Sequence, residues 1–281
     1  KVGANWQIPL DRMSPISRKI LDLWPTPNNN DVLARNYRFE PGSVPVDRDN
    51  VSVRGDWNAS SSDNVYVRYV LNDESATTPP IFSNGAGGRL FNLKAWTLGG
   101  HYNGVFSPRA VNDFGFGYMH YNNTNLSILS NGTNFHQQVG ILNVLAYTDP
   151  IFTGTPSISI PGYLGPGEAT PNYRTTDNYE FTDNFSFQRG SHALKFGGDF
   201  RVVDTNMFYT GGNGGQTFSN RYSGDNFADF LLGLPSTLNK TARATLWDSR
   251  LKYYAAYFHD DWKVTPKLTI NFGLRYEYET P

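Results

Sequence analysis

From Val51 onward, apolar and polar residues alternate with a period of two on both sides of four short polar segments. Val51, Val53, Gly55 and Trp57 alternate with Ser52, Arg54, Asp56 and Asn58. Beyond 60–63, Val65, Val67, Tyr69 and Leu71 alternate with Tyr66, Arg68 and Val70. Successive strand residues point to opposite faces, so each pair of runs predicts an antiparallel hairpin with one apolar face. The second hairpin joins Ala95–Phe106 to Val111–Tyr121 through 107–110. The third joins Asp177–Gln188 to Ala193–Val203 through 189–192, and the fourth joins Leu251–Trp262 to Leu268–Tyr278 through 264–267. Residues 1–50 lack the alternation and read as an irregular loop region with one short helix. Ser14 caps it, Pro15 takes its first position, and Ile16, Ile20 and Leu21 share a face. A second short helix is predicted from Asn226, stopped by Gly233 and Pro235.

The connections between hairpins, 73–94, 122–176 and 204–250, are long and rich in Gly, Asn, Ser, Thr and Pro. Loops beyond about 12–15 residues are uncommon in compact soluble domains. In outer-membrane barrels they are normal, because short turns face the periplasm and long loops face outside. Strands of about ten residues with aromatic ends also fit an apolar band about 25 Å tall. A soluble β-sandwich alternates in the same way, so periodicity leaves both open. In a membrane, the strand at 51–59 descends from outside and the strand at 268–278 returns there. A complete small barrel has periplasmic ends. Residues 51–281 are therefore expected to be an all-β, antiparallel, up-and-down transmembrane arc of about eight strands within a larger barrel. Alone, such an arc leaves two edges that hydrocarbon cannot satisfy. The start at Lys1, with no Met or signal peptide, fits a piece of something longer.

Composition agrees with many short strands. Aromatic residues make up 15% and charged residues only 17%, with 27 Gly, 17 Pro and 28 Asn. A net charge of -1 gives no field suited to a nucleic-acid partner. The absence of cysteine excludes disulfides and thiolate metal sites. No stretch approaches a membrane-spanning helix, which says nothing of spanning strands.

Candidate chemistry is sparse. Asp260 and Asp261 are adjacent on a strand and face opposite ways, so they share no catalytic site. No carboxylate pair of glycosidase type is identifiable, and the chain does not read as an enzyme. His101, His120, His136, His192 and His259 lack metal-ligand spacing, and no cofactor motif is present. Gly211–Gly215 lacks the strand, helix and Lys-Ser/Thr context of a phosphate loop and reads as a flexible extracellular loop. Sequons such as those at Asn58, Asn131 and Asn184 are what 28 Asn give by chance. The polar-face charges Arg54, Asp56, Arg68, Lys195, Asp199, Arg201, Arg275 and Glu277 are candidates to face a lumen. There they would pair across strands or hold a plug. Tyr209, Phe218 and Tyr222 fit ligand contact or loop packing equally. A secreted or surface β-sheet protein binding carbohydrate on its aromatic face is the alternative reading.

The run Gly190-Ser191-His192-Ala193-Leu194-Lys195-Phe196-Gly197-Gly198-Asp199-Phe200-Arg201 resembles a strand signature of TonB-dependent outer-membrane receptors, in particular the Oar-like group. Ala228–Pro235, Tyr257–Leu268 and Asn271–Glu277 resemble it in the same order, as do Leu23–Asn28 and Val53–Asp56 more loosely. The resemblance implies a 22-stranded barrel in the bacterial cell outer membrane, closed by a plug and taking up ligands with energy relayed by TonB. Its partners would be outer-membrane lipid, the remaining strands and plug of the parent chain, and TonB through an N-terminal part. Plug, TonB box and the group's N-terminal β-domain are not recognisable in these residues.

Overall fold

The structure, a computed structural model, describes residues 7–29, 36–132, 134–142, 151, 153–167, 171–209, 214–239 and 245–280. Its elements in chain order are α1 (Pro15–Leu21), β1 (Val46–Asn58), β2 (Asp63–Thr78), β3 (Arg89–Ser107), β4 (Ala110–Ser127), α2 (Phe135–Val139), β5 (Ile158–Ser159), β6 (Asn172–Arg189), β7 (His192–Tyr209), β8 (Gln216–Thr217), α3 (Asn226–Leu232), β9 (Thr237–Leu238), β10 (Thr245–Thr265) and β11 (Leu268–Glu279). Eight of them form one antiparallel sheet in the order β1-β2-β3-β4-β6-β7-β10-β11, every neighbour being the next long strand in sequence. The sheet is not closed. Among the described residues β1 pairs only with β2 and β11 only with β10.

The short turns follow local chemistry. Between β6 and β7, Gly190 takes φ 61°, the left-handed conformation that a two-residue hairpin turn needs. Pro108-Arg109 and Pro266-Lys267 make the other two-residue turns. Proline fixes a negative φ there, which gives a turn whose twist does not match the strands. An extra residue next to each turn absorbs the mismatch: the register skips Phe106 in β3 and Val264 in β10.

The register also fixes how the strands lean. One row of partners runs Trp57, Val65, Tyr102, Phe114, Asp183, Gly198, Ala256, Tyr276. Within it, Val65, Phe114, Gly198 and Tyr276 stand 2, 4, 6 and 8 residues beyond the first residue of β2, β4, β7 and β11. Each hairpin is thus staggered by two residues, about 6.6 Å, over two strand spacings of about 9.6 Å. The strands tilt by about 35° to the line of turns, as they do in a barrel wall.

All the row's side chains lie on one face, and that face is apolar. Near the short turns it carries Trp57, Phe106, Phe187, Trp262 and Ile270; higher up it carries Trp96, Tyr118, Tyr179, Tyr254 and Tyr278. On β11 the two belts are eight residues apart, from Ile270 to Tyr278. At about 3.3 Å per residue and about 35° of tilt, that is about 22 Å of height, close to the hydrocarbon band of about 25 Å. Leu194, Phe196, Phe200 and Val202 share this face with Ile270, Phe272 and Leu274.

The strands are longer than the alternation predicts. β2 continues to Thr78, β3 begins at Arg89, β6 at Asn172 and β10 at Thr245. The added lengths lie beyond the upper aromatic belt and mix polar residues with Leu90, Phe91, Leu93, Leu246 and Trp247 on both faces, so the strands persist there without an alternating signal.

The long connections are not separate loops. Parts of all of them, with residues before β1, condense into one module with its own core. Ile20, Val139, Ile141, Ile158, Ile160, Phe218 and Phe230 are buried together, and Leu23, Phe82 and Ala86 form a second cluster bridged by Trp24. β5 pairs with β8 and β8 with β9. The Ser17 hydroxyl donates to the Phe230 carbonyl at 2.6 Å, Lys19 Nζ to the Gln138 carbonyl at 3.2 Å, and Asn84 Nδ2 to Thr155 Oγ1 at 2.7 Å. Ser14 caps α1 and Asp225 caps α3, which ends at Gly233 with φ 71°.

Asp229 of α3 is fully buried. Burial opposes its ionisation, but the Ser223 hydroxyl and the N–H groups of Tyr222, Ser223 and Arg221 outweigh it, holding the carboxyl below its ordinary value. A carboxyl lowered in the folded state adds stability above its unfolded pKa of about 3.9, and loses it as pH falls through the folded value. Protection of 216–232 from hydrogen exchange should therefore fall below about pH 4 in the native protein. In Asp229→Asn it should be weaker at neutral pH and nearly flat across that window, because the amide nitrogen replaces one acceptor oxygen and opposes the N–H that faces it, Tyr222 on Oδ2 or Ser223 on Oδ1.

Candidate functional site

The face opposite the aromatic belts is polar, and it collects the eight charges singled out in the sequence. Arg54 stands opposite Arg68, and their row continues through Gly99, Gly117, Glu180 and Arg201 to Tyr253. The next row holds Asp56, Tyr66, His101, Gly115, Thr182, Asp199, Ala255 and Glu277. Arg275 lies opposite Tyr257, and Lys195 opposite His259.

Most of these charges neutralise each other along a strand rather than across it. Residues two apart share a face, and Arg54–Asp56 and Arg201–Asp199 each close at 2.6 Å. Arg275 pairs with Glu277 in the same way, and His259 Nε2 with Asp261 at 2.9 Å. Arg201 also reaches across to Glu180 at 2.9 Å, and Arg48 to Glu74 at 2.9 Å. Arg68 and Lys195 are exposed and form no ion pair among the described residues.

Arg68 edges a shallow cavity of about 590 Å³ on this face. Its floor is Gly99 and Gly117, which stand directly opposite each other. One wall is a stack: the Arg54 guanidinium lies 3.9 Å over the Tyr66 ring, and Tyr66 stacks on His101 at 5.0 Å. Glu180 and Thr182 form the other. Other glycines of the polar face are covered by rings; a Cβ at Gly197 would sit 2.8 Å from Tyr257. At Gly99 and Gly117 the nearest atoms would be 3.5 and 3.8 Å away, so the floor is open. Such a surface can receive a flat or main-chain body beside an unpaired cation.

Glu180 and Tyr66 were not singled out by sequence reasoning, and His101 only as a metal-ligand candidate. Each sits at a polar position of its strand, and that parity is the signal that would have found them. Asp260 and Asp261 do lie on opposite faces, Asp261 beside His259 and Asp260 bound to His192 at 2.7 Å. Of the loop aromatics, Phe218 is core and Tyr222 is exposed, while the side chain of Tyr209 lies outside the described residues. Residues 211–213 of the glycine run and Thr133 of the second sequon also lie outside them. Among the described residues no group of three potential metal ligands occurs.

Residues 2–281 match the family described as outer membrane beta barrel domain. No curated protein matches the chain. Similar solved structures include the outer membrane transporter YddB from Escherichia coli, at 13% identity and TM-score 0.45, covering 83% of this chain and 27% of that one. The copper transporter OprC is similar at 12% identity and TM-score 0.43, covering 84% and 28%. The closed form of the ferric-catecholate import receptor Fiu from E. coli K12 gives 11% identity and TM-score 0.46, covering 85% and 35%. The chain thus spans about a quarter to a third of the length of these structures.

Proposed function

Because the chain belongs to the outer membrane β-barrel domain family and so to the bacterial outer membrane, we propose that it forms one arc of the wall of a TonB-dependent receptor of the Oar-like group. Residues 1–50, apart from the start of β1 at Val46, act in this reading as an extracellular connection, and the long strands within 51–281 as a wall segment. The apolar face meets lipid, and Arg54, Asp56, Arg68, Lys195, Asp199, Arg201, Arg275 and Glu277 line the lumen. Strands beyond β1 and β11 complete the barrel, and a plug and a TonB-contacting part lie elsewhere in the parent chain.

The observation that carries this reading is the pairing on the polar face. Self-neutralising charges form a wetted wall without a strong field, while Arg68 and Lys195 are left for a body inside the lumen.

The test is uptake in cells. Deleting the parent chain should abolish entry of at least one solute from a panel of ferric chelates, metal complexes and peptides. A strain lacking TonB should lose the same entry. Entry that persists without TonB would mean a passive pore and would contradict the proposal.

A further inference from the structure

The apolar face carries a furrow and, below it on the same strands, a polar cluster; neither is accounted for by a wall that merely meets lipid. The furrow is an apolar hollow of about 460 Å³ lying over Gly198 and Ala256, walled by Phe114, Phe181, Phe200 and Tyr276. The hollow exists because two small residues sit side by side in the row of partners while the rows around them are aromatic. Asp183, at its rim, accepts from Asn112 Nδ2 at 2.9 Å.

The cluster lies at the foot of β6, β7 and β10, where Arg189, His192 and Trp262 are register partners. His192 stacks on Trp262 at 5.3 Å, and its Nδ1 meets Asp260 Oδ2 at 2.7 Å. Its Nε2 has no partner among the described residues, and Arg189 pairs with no carboxylate there. Asp260 is only 3% exposed, and its Oδ1 lacks a hydrogen-bond partner. From His192 to Gly198 is six residues, about 16 Å of depth at the strand tilt. That is the reach of one leaflet's chains, half of a hydrocarbon core about 30 Å thick.

We propose that this face holds one phospholipid of the leaflet on the short-turn side. Its phosphate sits against Arg189 and His192, and one acyl chain lies in the furrow over Gly198 and Ala256. The Arg189 guanidinium, which pairs with no carboxylate among the described residues, matches a phosphate in charge, and the free Nε2 edge of His192 beside it matches one in position. The Asp260 carboxylate beside them disfavours a headgroup with net negative charge and favours a zwitterionic one, so the lipid is phosphatidylethanolamine. The chain stays in place because the furrow removes its surface from contact with disordered neighbours and sets it against aromatic rings.

The experiment uses the full parent chain, purified from outer membranes in mild detergent and weighed intact by native mass spectrometry. The unaltered protein should retain one phosphatidylethanolamine through washing. Ala256→Trp, which fills the furrow, and the double variant Arg189→Gln/His192→Gln should each lower that occupancy at least about fivefold. Heat-dependent gel mobility checks assembly, and Ala256→Leu replaces the tryptophan if assembly fails. Equal retention in both variants overturns the site. So does loss in one variant alone, equal retention of phosphatidylglycerol, or release by millimolar inorganic phosphate, which would indicate a free-anion site.

Discussion

Arginine at Leu274 should cut the yield of membrane-assembled protein by the equivalent of about 2–4 kcal/mol, the cost of a cation near the bilayer midplane on a barrel's lipid face. Leu274 is 76% exposed and stands between the two aromatic belts, opposite Phe258. No carboxylate lies opposite it on β10, where its partner is Phe258, so on that side the guanidinium meets only apolar groups. Phe272→Arg is expected to cost less, although Phe272 lies on the same face. Its direct partner across the ladder is Asp260, whose free oxygen can accept the new cation. Folding into vesicles, followed by urea titration of both variants, checks the order. Equal losses, or none, would count against a lipid-facing surface.

Phe230→Ala should dismantle the module built by the long connections while leaving the sheet intact. Phe230 is fully buried and packs edge-on to Phe218 at 5.3 Å and against Trp24 at 5.5 Å. Truncating a buried phenylalanine costs about 3–5 kcal/mol through lost burial and the cavity left behind. The module is small, and the Phe230 ring packs on Trp24, which bridges its two clusters. Limited proteolysis on whole cells should then cut within 153–167 and 214–239, where the native module resists. Heat-dependent gel mobility should still report an assembled barrel. A protected module in the variant would mean that the two clusters stand independently.

How far the sequence could be read depends on which solvent each residue meets. Where one face meets lipid and the other water, alternation marks the strand, and the residues around Gly190, Pro108 and Pro266 mark its turns. The start of α1 and the end of α3 were legible because Ser14 and Gly233 act locally, while the Asp225 cap of α3 was not read from the sequence. Above the aromatic belt the lipid no longer sorts the two faces, and Leu90, Phe91 and Leu93 fall on both, so the extensions at 73–78 and 89–94 carry no periodic signal and read as loop. The module was invisible for another reason. Its core joins Ile20, Val139, Ile158 and Phe230 from segments far apart in sequence, none of which shows a face by itself. On the polar face, the parity that places Arg54 also places Tyr66 and Glu180. The stacking of Tyr66 on His101, by contrast, needed the register between β2 and β3. The bond between His192 and Asp260 spans 68 positions and has no local signature.

The unpaired edges of β1 and β11 carry the central claim, that these eight strands are an arc of a larger wall. Backbone N–H and C=O groups along both edges have no partner in hydrocarbon, at several kcal/mol each. The most direct measurement is to express residues 1–281 alone, refold them into planar bilayers and record conductance and solute uptake. An open arc should give no discrete, stable conductance steps and no specific uptake, and should persist only as aggregate or when the remaining strands are supplied. A stable monomer with uniform conductance and specific uptake would show that β1 and β11 close on each other, and would contradict the arc.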